Sequence, residues 1–260
     1  MNNLSRWIIV GFASMCSVSW AATVVKRDLQ GNAEKIIMDG QQIRIESPDS
    51  KYYSLMYLDK GKIYMIDAKE KRIVEMDIVG KPPQLPKNLR PMPKPPWGDS
   101  VNAELVEKGN GSNIAGYPTK RYQIKALGKA CSDNYFSKEV ASHIDAFLEA
   151  SDKMINSRKI KGMPVHPCQQ AHDDLKAKMR KQGVSMKLVL KGGKRDDMVM
   201  YEITDIQTNV NVSADLFRLP RGYKMISEQK MMEERQAKMK ALMEEKARQG
   251  GSQFHPGGLR

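Results

Sequence analysis

Apolar and polar residues alternate along the first third of the chain, between about residues 35 and 77. Ile43 and Ile45 each lie between polar neighbours, and Tyr53 and Leu55 recur with the same spacing of two. A period of two is typical of a β-strand with one buried face and one solvated face. Asp39-Gly40 separates two such stretches and is a strong hairpin signal. The pattern predicts an antiparallel meander, and it returns after about residue 101 and again after about residue 184.

The spacing of apolar residues changes after residue 131. Intervals of three and four predict an amphipathic helix with Ser132 or Asp133 as its N-cap. A second helix is predicted from Gln169 to Lys181. The first helix places on one face Phe136, Val140, Ile144, Phe147, Ser151 and Met154, and the second Ala171, Leu175 and Met179.

A third helix is predicted from Met225 to Gln249, a charged stretch without Gly or Pro. Met225, Met232 and Met239 recur every seven residues and predict one narrow apolar stripe. The helix is expected to dock through this stripe, either on the body of the protein or on a partner.

Prolines are concentrated between Pro82 and Pro96, where seven of the 13 occur. Such a segment cannot donate ladder hydrogen bonds and prefers an extended geometry. We expect it to bridge two strand-rich regions. The alternative is a proline-rich ligand for an aromatic groove on a partner.

The first residues have the pattern of a cleavable signal peptide over 1–21, cut after Ala21. Arg6 precedes an apolar run that starts at Trp7, and Ser19-Trp20-Ala21 supplies small residues at positions −3 and −1 of the cut. The apolar run is shorter than the about 20 residues that a membrane-spanning helix needs. The sequence therefore predicts export to the periplasm.

Removal of the signal peptide would also remove Cys16, which leaves Cys131 and Cys168. An exported protein with two cysteines most often joins them. The loop between them holds 38 residues, counted as 168 − 131 + 1. Closing a loop of that length in the unfolded chain stabilises a fold by about 4 kcal/mol on the loop-entropy model. We expect a Cys131–Cys168 disulfide.

A metal site is the alternative interpretation of Cys168. The stretch "GMPVHPCQQAH" holds His166, Cys168 and His172 close together in the sequence. Imidazole and thiolate ligands are the ones that copper and zinc prefer. Pro167 interrupts regular structure between His166 and Cys168, and two histidines without the thiol make a weak site. The disulfide interpretation is favoured, and no metal or other cofactor is expected; the metal alternative would rest on His166 and His172.

The sequence contains no motif of a known catalytic centre. It lacks the G-x-S-x-G elbow, the P-loop, the H-E-x-x-H helix and the dinucleotide fingerprint. We expect a binding protein rather than an enzyme, without catalytic residues.

The charge balance is strongly basic, with 43 Lys and Arg against 30 Asp and Glu, a net charge of +13. Loss of Arg6 with the signal peptide lowers the net charge by one. In an exported protein this charge fits an anionic membrane surface or an acidic envelope protein. The lysines are spread along the chain and accompany neither an RNP motif nor zinc-finger spacing, so nucleic acid is not an expected partner.

Methionine is frequent, with 18 residues. Flexible thioether side chains fit a cavity that adapts to lipid chains, and they fit ordinary core packing equally well. Those predicted to lie in strands are Met38, Met56, Met65, Met76, Met186, Met198 and Met200.

The order of several motifs resembles a bacterial family called domain of unknown function 4412. The most specific pieces are "IAGYPTKRY" (Ile114 to Tyr122) and "LFRLPRGYK" (Leu216 to Lys224), and the resemblance covers about Lys35 to Lys224. That family is similar in turn to the periplasmic lipoprotein carriers LolA and LolB. The resemblance implies an α+β fold that is mainly antiparallel β: a strongly curved sheet, or incomplete barrel, with helices over its open side and an apolar cavity inside.

These observations predict three parts: a signal peptide over 1–21, a LolA-like half-barrel over 22–223, and a charged C-terminal helix with a tail over 224–260. The leading hypothesis is an exported, non-enzymatic protein that holds a lipid or acyl chain in the half-barrel. The alternative is an envelope protein–protein adaptor with a filled core. A role in copper or zinc handling is a third hypothesis.

Overall fold

The computed structural model describes residues 19–49, 51–82, 97, 101–160, 165–193 and 196–250. Within them, twelve strands form one sheet. In chain order they are β1 (Ser19–Leu29), β2 (Asn32–Asp39), β3 (Gln42–Glu46), β4 (Tyr52–Tyr57), β5 (Lys62–Asp67), β6 (Arg72–Asp77), β7 (Ala103–Asn110), β8 (Lys120–Ala126), β9 (Lys129–Ser137), β10 (Val184–Leu190), β11 (Met198–Ser213) and β12 (Lys224–Ser227).

The sheet consists of two meanders joined at its centre. Strands β1 to β6 pair in sequence order, and so do β7 to β11, while β1 pairs with β11. All these pairs are antiparallel, and only β12 pairs in parallel, with β6. Strands β12 and β7 remain as the two edges, so the sheet curls without closing. The predicted antiparallel, curved and unclosed sheet is confirmed.

Within the described ranges three α-helices accompany the sheet: α1 (Ala141–Ser157), α2 (Pro167–Arg180) and α3 (Glu228–Gly250). Helix α1 covers the centre of one face, where Ile144 and Phe147 pack against Ile43, Met56 and other buried residues. We call this the inner face. Helix α2 packs beside β7 and β8, with Leu175 against Ile124. Helices over the open side of the curled sheet were predicted, and they are confirmed.

The start of the first helix was predicted wrongly. Ser132 and Asp133 are not an N-cap, because they lie in β9, and α1 begins only at Ala141. Residues 131–134 are all buried, and β9 forms ladders with both β8 and β10. Phe136 and Val140 are buried as the pattern implied, but the strand ends between them.

A strap formed by residues 214–223 crosses the opposite, outer face and carries the chain from β11 to the far edge of the sheet. The Tyr57 hydroxyl donates to the carbonyl oxygen of Phe217. Arg44 donates from Nη1 to the carbonyl oxygen of Leu216 at 2.9 Å, and its guanidinium lies 3.8 Å from the ring centre of Tyr53. The segment "LFRLPRGYK" therefore covers the outer face of the first meander.

The strap ends in a strand rather than in the predicted helix. Lys224 to Ser227 pair with Arg72 to Glu75, so Met225 belongs to β12 and α3 starts at Glu228. The expected boundary between residues 223 and 224 thus falls at the beginning of a strand of the same sheet.

Several predictions concern residues outside the described ranges: residues 1–18 of the signal peptide, the proline-rich segment from residue 83 to 96, and the tail after residue 250. The predicted cut after Ala21 falls inside β1, and Ala22 is buried. None of the helices found in the described ranges combines the length and hydropathy needed to cross a bilayer.

Candidate functional site

The inner face of the first meander carries three parallel rows of side chains, set by the strand register. The row Ile43–Met56–Ile63–Met76 packs against α1. The next row outward is Ile45–Ser54–Met65–Val74, and the row at the rim is Tyr52–Asp67–Arg72. Each row consists of residues directly opposite one another on neighbouring strands, so each acts as one continuous strip. The inner face therefore changes from buried apolar to polar within three rows.

A groove of about 530 Å³ lies over the second and third rows. We call it the inner groove. Ile45, Met65 and Val74 form its floor, and Met231 of α3 forms part of its wall. Met65 is 38 % exposed and Tyr52 45 % exposed, so the groove leaves both side chains accessible. The volume falls in the range of small-molecule sites, about 300–1,000 Å³.

Helix α3 is held over the sheet by ion pairs. Glu234 pairs with Arg72 at the rim. Glu228, at the start of the helix, lies 3.4 Å from Nε of Arg158, which follows α1. With Met231 these glutamates recur every three residues, so one face of the first turns of α3 points to the sheet.

The mouth of the inner groove carries charges of both signs, with two cations on the α3 side and Asp67 at the rim. Arg235 and Lys238 line it from α3, and neither forms an ion pair with another residue in the described part of the chain. Glu34, which lines the other side, is neutralised by an ion pair with Arg27. An anionic group at the mouth would thus meet two cations, while an apolar chain attached to it would meet the floor.

The centre of the half-barrel, under α1, is nearly full. The space among Val25, Ile36, Phe147 and Ile203 is about 60 Å³. The apolar cavity that the resemblance implies inside the half-barrel is thus reduced to this volume under α1, because α1 places Ile144 and Phe147 directly on the sheet. Met38, Met56 and Met186 belong to this packed core, and Met65 lines the inner groove.

The residues of the alternative metal site do not converge. Cys168 forms a disulfide with Cys131, with a Cα–Cα distance of 5.4 Å. His166 caps α2, its Nδ1 accepting from the backbone N–H of Cys168 at 3.3 Å. His172 lies on the buried side of α2, with Nε2 2.9 Å from Oγ of Ser132. Among the described residues, no group of three or more His, Cys, Asp or Glu is placed to hold a metal ion.

The predicted disulfide is confirmed, and it joins a strand to a helix. Cys131 lies in β9 and Cys168 in the first turn of α2, so the bond fixes α2 to the sheet. His172, one turn further along, is in a dry environment, and burial lowers the pKa of its imidazole. These residues form a structural anchor.

A smaller cavity of about 210 Å³ lies between α1, α2 and strands β9 to β11. Its charged groups are already paired, since Asp152 of α1 accepts from Lys176 at 2.6 Å and also pairs with Arg180. These pairs join the two helices across the cavity. It lacks the unpaired cations that distinguish the inner groove.

The sequence did not reveal the inner groove. It predicted that Met225, Met232 and Met239 would make the contacts of the C-terminal helix, whereas Glu228, Met231 and Glu234 face the sheet. The intervals of three between these residues are a helical signal, but two of the three are glutamates. The two glutamates face the body of the protein because their ion-pair partners, Arg72 and Arg158, lie there in the fold.

Comparison with known proteins returns distant likenesses. No protein-family model and no curated protein matches the chain. An uncharacterized conserved protein from Thermus thermophilus aligns over 82 % of this chain and 92 % of its own, at 11 % identity and a TM-score of 0.39. A chain of the Pseudomonas aeruginosa MucA/MucB complex aligns over 80 % of this chain and 58 % of its own, at 11 % identity and a TM-score of 0.35. The chain is thus distantly similar to these structures, and its resemblance to domain of unknown function 4412 stays a prediction.

Proposed function

We propose that this protein is a non-enzymatic binding protein of the bacterial periplasm that holds an acyl chain with an anionic end in the inner groove. The observation that carries the proposal is the ordering of the groove: an apolar floor of Ile45, Met65 and Val74 leads to a mouth with Arg235 and Lys238. A fatty acid or lipid is apolar along its chain and charged at one end, which matches that order.

The binding energy would come mainly from the floor. Burial of apolar surface contributes about 25 cal/mol per Å², and each buried CH₂ group about 0.8 kcal/mol. Arg235 and Lys238 are exposed, so their contribution is modest and serves chiefly to orient the charged end.

The test is binding of a fluorescent fatty acid to the full chain and to two matched variants. Met65→Glu places a carboxylate in the groove floor, and we expect the affinity to fall at least about tenfold, because a charge opposes burial of the chain. Met198→Glu makes the same change on β11, where Met198 is 49 % exposed and outside the groove, and it should bind as the unmodified protein does. Equal binding by both variants, or no uptake by any of the three proteins, would contradict the proposal.

The charged end is tested by comparing a fatty acid with the fatty alcohol of equal length. Arg235→Gln with Lys238→Gln should weaken binding of the acid but leave the alcohol unaffected. Lys230→Gln with Lys240→Gln removes the same charge outside the groove lining and should change neither. A loss that is equal for acid and alcohol would show that the two cations do not recognise the anionic end.

The second candidate is an envelope protein–protein adaptor, and the packed space of about 60 Å³ under α1 favours it. In that case the inner groove would receive an apolar segment of a protein. Lipid extraction from protein purified from the periplasm separates the two: co-purified lipid supports the first candidate, and a lipid-free protein that still captures one partner supports the second.

A further inference from the structure

Helix α3 carries an exposed apolar stripe beyond its contacts with the sheet. Met232, Met239 and Met243 fall within about 40° of one another around the helix axis at 100° per residue. Their exposed fractions are 43 %, 54 % and 65 %, and that of Leu242 is 44 %. We call these four residues the α3 stripe. Single exposed apolar residues are common, but four within one 100° sector of a helix need an explanation.

The α3 stripe takes no part in the apolar packing seen among the described residues. None of the apolar clusters found in the described residues includes any of its four members. The contacts of α3 with the body of the protein come instead from Glu228, Met231 and Glu234. Met231 lies at the border of the two faces, so the stripe continues from the wall of the inner groove into solvent.

Cations accompany this stripe. Viewed along the axis at 100° per residue, Arg235 falls within the apolar sector, and Lys238 is the next cation beside it. Glu228 also falls in this sector, where it is paired with Arg158. The far side of the helix carries charges of both signs, among them Lys230 and Glu233. An apolar stripe with cations in and beside it suits a helix that lies in the interface of an anionic membrane.

We infer that the α3 stripe docks on an anionic lipid bilayer. The stripe would insert its thioether and leucine side chains between head groups, while Arg235 and Lys238 contact phosphates. The whole-chain charge of +13 favours the same surface. A second copy of the chain is disfavoured as the occupant, because four side chains cannot supply the about 800 Å² per partner of a stable dimer. If the proposed ligand is a lipid, docking would bring the mouth of the inner groove to the membrane that contains that lipid. Only this link to ligand uptake rests on the proposed function.

The test is co-sedimentation of the full-length protein with vesicles. Binding is compared between vesicles of phosphatidylcholine alone and vesicles with phosphatidylglycerol added. We expect clear binding only to the anionic vesicles, and a large loss of it when salt is raised from about 0.1 M to about 0.5 M, where charges are screened over a shorter distance.

Met232→Gln, Met239→Gln and Met243→Gln together should reduce vesicle binding at least about tenfold, because binding scales with the apolar area inserted. Met and Gln have similar helix propensities, so α3 is retained. Ala237→Gln with Ala241→Gln, on the side away from the stripe, is the matched control and should bind normally.

Two outcomes would overturn the inference. One is equal vesicle binding by the triple variant and the control. The other is a dimer of the unmodified protein that becomes a monomer in the triple variant, which would assign the stripe to a second copy. Uptake of a fatty acid from solution should persist in the triple variant. Failure of vesicle docking is therefore distinguishable from failure of the proposed ligand site.

Discussion

Asp133 is a buried carboxylate held by two cations. Its side chain is 2 % exposed, and its Oδ2 lies 2.5 Å from Nη2 of Arg121 and 2.7 Å from Nζ of Lys191. Burial alone would raise its pKa, but hydrogen bonds and charge attraction from Lys191 and Arg121 outweigh burial and hold the pKa of Asp133 below its ordinary value. The group thus joins β8, β9 and the end of β10 in its charged form.

Asp133→Asn should lower the free energy of unfolding by about 1–3 kcal/mol at pH 7, a figure reduced from that of a fully buried pair because Arg121 is partly exposed. Because the pKa is lower in the folded than in the unfolded state, the stabilisation by the carboxylate is complete above pH about 4 and is lost as the pH falls through the folded-state value. Urea unfolding at pH 7 and pH 3 measures both effects. The difference between the variant and the unmodified protein should shrink at pH 3, and Asp145→Asn, an exposed change on α1, should show no difference at either pH.

The disulfide acts between two elements, β9 and α2. Replacing Cys131 and Cys168 by Ser should lower the free energy of unfolding by about 2–4 kcal/mol. Denatured, unreduced protein should show no free thiol from this pair, and reductant should expose two. Reductant should leave the stability of the double Ser variant unchanged, which serves as the control. Labelling of both thiols before reduction would contradict the disulfide.

The C-terminal elements differ in what they contribute to stability. Helix α3 is held mainly by Met231 and by ion pairs that are partly exposed, each worth about 0–1 kcal/mol. Truncation after Ser227 should therefore leave the thermal midpoint within a few degrees. Truncation after Tyr223 also removes β12, in which Ile226 is 8 % exposed, and it uncovers the edge of β6. We expect a clearly lower midpoint for the shorter chain, measured by circular dichroism; equal midpoints would show that β12 is dispensable.

How much the sequence predicts depends on the range of the interactions involved. The alternation around Ile43 and Ile45 is local, and it gave the first meander correctly. Phe136 and Val140 have helical spacing, yet ladders to β8 and β10 hold residues 132–136 in a strand. Strand β12 has four residues, which is too few for a periodic pattern to be recognised. It forms because the strap places these residues beside the edge of β6.

The candidate site likewise combines local features that the sequence predicts with long-range ones that it does not. Met65 and Val74 could be recognised as apolar strand positions, but their common row with Ile45 follows only from the register of four strands. Arg235 and Lys238 reach the mouth only because one particular face of α3 meets the sheet. That face is fixed by the ion pair of Glu234 with Arg72, which is distant in the sequence. The disulfide was predictable because only two cysteines follow the predicted signal peptide.

At the scale of the whole molecule, the pairing of β1 with β11 governs the order in which the protein is assembled. Ala22 pairs with Val210, 188 residues later (210 − 22), whereas most other ladders join strands that follow one another in the chain. Contacts between residues so far apart form slowly, because a long loop must close before they stabilise anything. We expect each meander to form early and their union at β1 and β11 to limit the rate of folding. During synthesis or export, one side of β1 in the first meander therefore stays unpaired until the chain up to residue 213 is available to form β11. The inner groove has its floor in that first meander and its roof in α3, so the surface proposed to bind the ligand is completed only after the rest of the sheet has joined.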